Sequence, residues 1–325
     1  MFFLANEIEN KTIKSAIYIL DEVKKSVIGK DSVIIKILLA ILSRGHILVE
    51  DIPGVGKTTM ALAFSRALSL KYNRIQFTPD VLPTDVTGFT IYNKNTDTFD
   101  FKPGVSMCNL LLADEINRTS SKTQSALLEI MEEGKVTVDG ITHNLPKPFI
   151  VIATQNPIGS VGTQDLPESQ LDRFMIKLSM GYPDLNSEVQ IMKLKSQKKE
   201  SVLAEPVITS ENLEMLQKAV DDIYVDDKIY MYIAQIAEAT RNHPMLKLGI
   251  SPRGSLALMS ISKATALLNG RNYVIPDDIV YNYKDVLSHR LILSSNAKIS
   301  NLSQDKILED IFKSIKRPIL SPSAH

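Results

Sequence analysis

Residues 49–64 read VEDIPGVGKTTMALAF, and this stretch decides how the rest of the sequence is interpreted. An apolar run, HILVE at 46–50, precedes a glycine-rich turn, and a helix-favouring run follows the turn. Backbone N–H groups in such a turn converge on an anion, and the dipole of the following helix favours negative charge there. The stretch therefore predicts a phosphate-binding loop.

One residue departs from the usual loop pattern, G-x-x-x-x-G-K-[ST], because Asp51 stands where the first glycine belongs. The remaining residues suit the chemistry. Gly54 and Gly56 permit positive φ angles and close backbone approach. Lys57 would neutralise the β- and γ-phosphates, and the Thr58 hydroxyl would hold Mg²⁺. Taken alone, the stretch is also compatible with a glycine-rich turn that binds nothing.

The rest of the chain places this loop in an α/β sheet. Further short apolar runs alternate with helical stretches, which predicts a parallel sheet with helices on both faces. These runs are IQFT (75–78), LLLAD (110–114), FIVIAT (149–154) and FMIKLSM (174–180). Two hairpins interrupt the alternation, at 88–104 and at 135–145, where Asp139-Gly140 forms the turn.

Strand patterns stop after about residue 181, and helical patterns continue from there. We therefore expect a five-stranded α/β nucleotide-binding core over residues 1–180 and a smaller all-helical lid domain over 181–315. Residues 316–325 are expected to form a disordered tail.

Polar side chains follow two further strands. Asp114 and Glu115 end the run LLLADE, and Asn156 follows FIVIATQ. Asp114 suits Mg²⁺, Glu115 suits polarising the attacking water, and the Asn156 amide suits orienting that water. A helix-start acid pair and an Asn-Pro turn are the plainer alternatives. Because the carboxyl ends of parallel strands share one edge, we expect these side chains to meet Lys57 there.

Two arginines complete the set. Arg173 lies just before the last strand, and Arg253 lies in the first turn of a helix capped by Ser251. A cation there opposes the helix dipole, so a phosphate partner would offset its cost. The alternatives are a surface salt bridge for Arg173 and a solvated side chain for Arg253. Arg118 is a weaker candidate, for which a purely structural role is the alternative.

Together these stretches resemble the AAA+ ATPases, and more closely the MoxR family. The matching segments are VEDIPGVGKTT, IQFTPDVLPTDVTG, LLLADEINRTSSKTQSALLEIMEEGKVTVDG, VIATQNPIGSVGTQDLPESQLDRF and SPRG, spread over most of residues 27–255. Asp51 in place of glycine is similar to what MoxR proteins carry. The resemblance implies a P-loop NTPase fold, with 88–104 as the helix-2 insert and 135–145 as the pre-sensor hairpin.

The resemblance also implies roles for particular residues. Glu115, Asn156, Arg173 and Lys57 would be catalytic, with Asn156 the first sensor, Arg173 an arginine finger and Arg253 the second sensor. Thr58 and Asp114 would hold Mg²⁺. The implied nucleotide-binding residues are Val27, Ile28, Gly29, Pro53, Gly54, Val55, Gly56, Lys57, Thr58, Thr59, Tyr182, Pro183 and Arg253.

Similarity to this family further implies ATP or ADP with Mg²⁺ as ligands, a hexameric ring, a von Willebrand factor A-domain partner and a client protein. The ring would remodel, mature or help metallate that client. A chelatase motor subunit and a nucleic-acid-linked regulator stay open as alternatives. A non-enzymatic scaffold is disfavoured because every residue needed for hydrolysis is present.

Composition bounds these interpretations. The 325 residues carry 37 Lys+Arg against 37 Asp+Glu, and this zero net charge argues against broad nucleic-acid binding. A single cysteine, Cys108, excludes an internal disulfide and a thiolate metal site. No signal peptide or membrane-spanning run is recognised. We therefore expect a cytoplasmic protein without membrane insertion.

Overall fold

The computed structural model describes residues 2–52, 54–156, 166–196 and 203–320. Its centre is a parallel five-stranded sheet in the order β2-β5-β8-β1-β9. These strands are β1 (Ile47–Glu50), β2 (Tyr72–Gln76), β5 (Leu110–Asp114), β8 (Ile150–Gln155) and β9 (Ile176–Leu178). The predicted fold class is confirmed, although the second strand lies at 72–76 rather than 75–78.

Helices cover both faces of this sheet. They are α1 (Phe2–Ser26), α2 (Asp31–Leu42), α3 (Lys57–Ala67), α4 (Pro83–Thr87), α5 (Ser121–Glu133) and α6 (Glu168–Leu171). Alternate strand residues point to opposite faces. In β5, Leu110 and Leu112 join the core cluster with α1 to α3, whereas Leu111 and Ala113 join the cluster with α5. Both faces are buried, which explains why the strands are continuous apolar runs.

Both predicted hairpins are present. One pairs β3 (Gly88–Asn93) with β4 (Thr98–Pro103), and the other pairs β6 (Lys135–Val138) with β7 (Ile141–Asn144). The second hairpin turns at Asp139 and Gly140, which have φ angles of 48° and 79°. The Phe101 and His143 rings stack with centroids 3.8 Å apart. The two hairpins therefore contact each other.

The described residues after 181 are mainly helical, with one short ladder. Its helices are α7 (Leu185–Ser196), α8 (Ser210–Asp221), α9 (Asp227–Arg241), α10 (Pro252–Leu268), α11 (Pro276–Leu287), α12 (Ser295–Ile299) and α13 (Gln304–Ser314). The expectation of an all-helical lid missed β10 (Leu246–Leu248) and β11 (Ile292–Leu293), which pair antiparallel. Strands of three and two residues are too short to show a period-two pattern.

The two halves share a core. One apolar cluster runs from a face of the sheet through α1 and α2 into α8, α9, α10 and α11. His46, just before β1, is buried, and its Nδ1 accepts from the Val151 amide while its Nε2 contacts the Met131 carbonyl. Burial lowers the pKa of His46 to about 4, so it is a neutral packed residue. Within the described residues no helix is both long and apolar enough to cross a membrane.

Candidate active site

The loop after β1 has the backbone of a phosphate cradle. Gly54 and Gly56 have φ angles of 89° and 96°, a region that favours glycine. Space around Gly54 is open, since nothing lies within 4 Å of a Cβ built there. Helix α3 begins at Lys57, so the unpaired amides of its first turn, including those of Thr58 and Thr59, face the loop. Val55 packs against the core beneath, whereas Pro53 lies outside the described residues.

The Lys57 side chain folds back onto the loop. Its Nζ donates to the Asp51 carbonyl over 2.8 Å, and its side chain is buried. Burial lowers the pKa of Lys57, and the nearby carboxylates, chiefly that of Asp114, oppose the shift. The partly desolvated Lys57 ammonium would therefore be stabilised by a further negative group, such as a phosphate.

Asp51, the residue that departs from the usual pattern, has a structural task. Its Oδ2 accepts from the Met180 amide (2.5 Å), the Gly181 amide (2.7 Å) and the Ser179 hydroxyl (3.0 Å). A glycine could make none of these bonds. Asp51 therefore ties the start of the phosphate loop to the segment that joins β9 to α7.

The same segment is held from its other side by Lys30. The Lys30 ammonium donates to the carbonyls of Met180 (2.6 Å), Gly181 (3.0 Å) and Tyr182 (2.8 Å). Gly29 has a φ of 72° and packs so closely on Ser187 that a Cβ would lie 2.1 Å from the Ser187 Oγ. The turn after α1 and the start of α7 thus meet next to the phosphate loop.

This meeting brings together both stretches that were expected to flank adenine. Val27 is buried and Ile28 half-buried on one side, while Tyr182 is 78% exposed and Pro183 half-buried on the other. The arrangement leaves a large aromatic side chain free at the edge of the loop.

Asp114 lies at the carboxyl end of β5, beside the loop. Its Oδ1 accepts from the Thr154 hydroxyl (2.6 Å), and its Oδ2 pairs with Arg74 Nη2 (2.8 Å). Thr154 accepts in turn from the Glu115 amide (2.9 Å). One hydroxyl therefore fixes both acidic residues, and Arg74 supplies the counter-charge that a cation would replace.

Glu115 is held in an unusual conformation. Its φ of 55° is left-handed, which is uncommon for a residue with a side chain and is found at functional sites. Arg118, on the next turn, pairs with Glu115 Oε2 over 2.8 Å. The carboxylate that we expect to act on water is thus restrained by a cation three residues away.

Asn156 joins the same edge. Its backbone N–H and C=O bond to the side-chain amide of Asn117, at 3.3 and 3.2 Å. Its own Oδ1 is buried without a hydrogen-bond partner in the described part of the chain. An orphaned buried oxygen is costly, so a water or ligand hydrogen would satisfy it.

These groups fit a magnesium nucleotide. The open glycine cradle, the buried ammonium of Lys57 and the orphaned Asn156 oxygen suit phosphate and a water molecule. The Asp114 carboxylate and the Thr58 hydroxyl are oxygen ligands of the kind that Mg²⁺ prefers.

The two arginines lie elsewhere. Arg173 precedes β9, and Arg173 Nε pairs with Glu132 Oε2 over 3.0 Å. Arg253 pairs with Glu132 Oε1. Glu132 lines a cavity of about 790 Å³ together with His46 and Phe149, which precede β1 and β8. Both arginines therefore lie at the amino edge of the sheet, on the far side from Lys57, and Arg253 does not join the nucleotide residues of its own chain.

A polar junction fixes these arginines relative to each other. Asp172 accepts from Ser251 Oγ and from Arg290 Nε, each at 2.8 Å. The Arg290 side chain is 2% exposed and also donates to the carbonyl of Phe174 over 2.7 Å. Burial lowers the pKa of Arg290 to about 10, so it stays charged at neutral pH. Asp172 is next to Arg173, and Ser251 is two residues before Arg253, so the junction sets the position of both.

Sequence reasoning missed several residues that contact the predicted ones: Lys30, Arg74, Glu132, Thr154, Asp172 and Arg290. Each acts through a contact between distant segments. The strand-end position of Thr154, beside the acidic pair on the neighbouring strand, was the one available signal.

Known proteins match both halves of the chain. Residues 46–176 match the ATPase family associated with various cellular activities (AAA), and residues 238–311 match the AAA lid domain. The chain is 49% identical to the uncharacterized protein YeaC of Bacillus subtilis (strain 168), covering 92% of this chain and 93% of YeaC. It is 37% identical to the chaperone MoxR1 of Mycobacterium tuberculosis, covering 95% of this chain and 83% of MoxR1.

A solved structure gives the same result for the fold. The crystal structure of an ATPase candidate from Cytophaga hutchinsonii matches with a TM-score of 0.90 and 34% identity, covering 98% of this chain and 99% of that one. Similarity at this level extends over both halves of the molecule. The chain therefore belongs to the MoxR family of AAA+ ATPases.

Proposed function

We propose that this ATPase works as a chaperone-like motor in which neighbouring copies complete each other's active sites. One observation carries the proposal: the nucleotide residues and the two arginines occupy opposite edges of the sheet. A relative at 37% identity is named a chaperone. In this proposal residues 1–180 form the nucleotide-binding core, residues 181–315 the lid and residues 316–325 a tail.

The nucleotide edge would hold the phosphates and prepare the water. The amides of the Gly54–Gly56 turn and the Lys57 ammonium bind the phosphates. Thr58 and Asp114 would hold Mg²⁺, which would supply further neutralisation of phosphate charge. Glu115 leaves Arg118 and orients the attacking water, with the Asn156 oxygen as its second acceptor. These groups act by positioning and charge, as phosphoryl transfer requires.

A second copy would supply the missing cations. In their own chain Arg173 and Arg253 pair with Glu132 at the opposite edge of the sheet from Lys57, and the length of β1 separates the two edges by roughly 13 Å. Donated across an interface, an arginine stabilises charge in the transition state. A head-to-tail contact of this kind closes into a ring when its rotation permits, and we propose a hexamer.

Helix α7 supports such an interface. It carries Leu185, Val189 and Met192 at helical spacing, and these apolar side chains are exposed, Leu185 by 79%. Exposed apolar stripes next to a binding site indicate a surface that another molecule covers. Because α7 follows Tyr182 directly, the surface adjoins the nucleotide.

We further propose that the ring works in the cytoplasm with a von Willebrand factor A-domain partner and remodels, matures or helps metallate a client protein. The paired hairpins present exposed aromatic rings, among them Phe99 and Tyr92, to a client. The chelatase proteins to which the chain is similar are matched at only 25% and 26% identity, over 56% and 59% of the chain, so they give the chelatase alternative weaker support.

Glu115→Gln tests the hydrolytic assignment. The change keeps the shape but removes the group that orients water, so turnover should fall by about 100-fold or more while ATP binding persists. Steady-state phosphate release and fluorescent-nucleotide titration would measure the two quantities. Glu129→Gln, on the exposed face of α5, is the matched control and should turn over like the parent. Full turnover by Glu115→Gln would remove this residue from the mechanism.

The same variant tests the partners. A chain that binds ATP without hydrolysing it should hold its partners during purification from the native cell. Recovery of a von Willebrand A-domain protein would support the proposed role. Recovery of a large metal-inserting complex would favour the chelatase function instead, and recovery of nucleic acid would favour a regulator.

A further inference from the structure

Glu132 occupies a singular position at the end of α5. Its two carboxylate oxygens contact two different arginines: Oε2 pairs with Arg173 Nε at 3.0 Å, and Oε1 pairs with Arg253 Nη2. The arginines come from different halves of the molecule, one before β9 and the other in the first turn of α10. A single carboxylate thus bridges both of the cations that the proposed function assigns to a neighbour's nucleotide.

Bridging has an electrostatic reason. The Asp172 junction brings the guanidinium groups of Arg173 and Arg253 close together, and their like charges repel. Partial burial would raise the pKa of Glu132, but the hydrogen bond from Arg173 and the charge of Arg253 outweigh it and lower that pKa. Glu132 therefore remains an anion at neutral pH and neutralises part of the charge of the pair.

The chemistry of this contact is that of a phosphate site. Guanidinium groups bind carboxylate and phosphate oxygens through the same planar N–H donors. Two arginines around one anion form a cleft for a phosphoryl group, and in the isolated chain a carboxylate fills it. All three side chains remain between 30% and 43% exposed, so the cleft opens to the surface.

We propose that Glu132 is an internal substitute for phosphate, which holds Arg173 and Arg253 together until the nucleotide bound to a second copy of this chain displaces it. This inference rests on the proposed function. It makes Glu132 a positioning residue that restrains the arginines in the free chain. Assembly then depends on nucleotide, because the phosphate must compete with a carboxylate that is already bound.

The restraint should be modest. Exposed ion pairs are weak, so two of them should change the protein concentration at half-assembly by about 2- to 10-fold. A phosphate with two or more negative charges can outcompete such a carboxylate, whereas a neutral surface cannot. Glu132 would therefore make contacts between nucleotide-free copies less favourable without preventing contacts between nucleotide-bound copies.

Glu132→Gln tests the inference, with Glu133→Gln as the matched control. Glu133 is adjacent and pairs only weakly with Lys135, at 3.4 Å, on the exposed surface. Assembly would be followed by analytical ultracentrifugation with a non-hydrolysable ATP analogue, and ATP turnover would be followed against protein concentration. Glu132→Gln should assemble at a lower concentration, by about 2- to 10-fold, and reach the parent's plateau turnover per chain. Glu133→Gln should match the parent in both.

Two results would overturn the inference while leaving the proposed ring intact. One is an unchanged or higher half-assembly concentration for Glu132→Gln while the parent assembles and hydrolyses normally. The other is a shift that persists when Arg173→Ala and Arg253→Ala are also present, because the effect must then act elsewhere. A parent chain that binds the analogue but never assembles would instead overturn the proposed ring, and the inference with it.

Discussion

At the scale of single residues, Asp51 shows how a departure from a motif can be the informative position. It lies at the end of β1, where its carboxylate receives two backbone N–H groups and a hydroxyl from residues 179–181. Lys30 binds the carbonyls of the same segment. The phosphate loop is therefore hydrogen-bonded to the segment between sheet and lid, so we expect a movement of one to displace the other.

Asp51→Gly, which restores the usual first glycine, should harm the protein. It leaves the Met180 and Gly181 amides without their acceptor, so the free energy of unfolding should fall by about 2–4 kcal/mol. Urea denaturation would measure the loss. Asp51→Asn keeps one acceptor oxygen and should lose less, about 1 kcal/mol. A glycine variant as stable as the parent would show that the tie is not stabilising.

Sequence alone predicted that four polar residues share one edge of the sheet, and their roles toward a nucleotide stay predictions. Lys57, Asp114, Glu115 and Asn156 each follow a strand, and parallel strands bring such positions to one edge. The partners of these residues were not predictable, because Arg74 reaches Asp114 from 40 positions away and Lys30 reaches Met180 from 150. Periodicity identifies elements but carries no information on which side chains meet across them.

At the scale of elements, the polar junction at Asp172 joins sheet and lid. Asp172 belongs to the turn between α6 and β9, and it binds the cap of α10 through Ser251 and the end of α11 through Arg290. Helix α10 begins at Pro252, directly after its cap Ser251, so the junction also fixes the position of Arg253 in the first turn of the helix. The lid thereby presents its arginine beside that of the core.

Asp172→Ala should weaken this junction measurably. It removes the counter-charge of the buried Arg290. Loss of one partner costs several kcal/mol in a fully buried pair. Because Asp172 is partly exposed, the free energy of unfolding should fall by about 1–3 kcal/mol here. Urea denaturation of the variant would show the loss. Asp277→Ala is the control, since Asp277 pairs with Arg317 on the exposed surface and should change stability by less than about 0.5 kcal/mol. Equal effects of the two changes would contradict the assigned role.

The short ladder of β10 and β11 illustrates the limit of prediction at this scale. It pairs Leu246 with Leu293, and the register shifts before the next pair. Segments so short gain their structure from tertiary pairing rather than from local pattern, whereas the longer helices of the lid are recognisable from their apolar spacing.

At the scale of the whole molecule, the central feature is the separation of two functional edges. The residues proposed to bind nucleotide gather at the carboxyl edge of the sheet and the arginines lie at the amino edge, so in the proposed ring one chain would contribute to two different active sites. Exposed apolar residues on α7 lie beside the nucleotide edge. A ring of identical contacts would pair every nucleotide with a neighbour's arginines and cover this surface.

The most direct test of this account is to mix two inactive chains. Arg173→Ala keeps the nucleotide edge, and Lys57→Ala keeps the arginine edge, so each alone should hydrolyse ATP poorly. In an equimolar random mixture about one interface in four joins an intact Lys57 to an intact Arg173. We predict that phosphate release rises well above the sum of the separate chains. If no mixing ratio restores activity although the chains co-assemble, hydrolysis does not occur between subunits and the central claim is wrong.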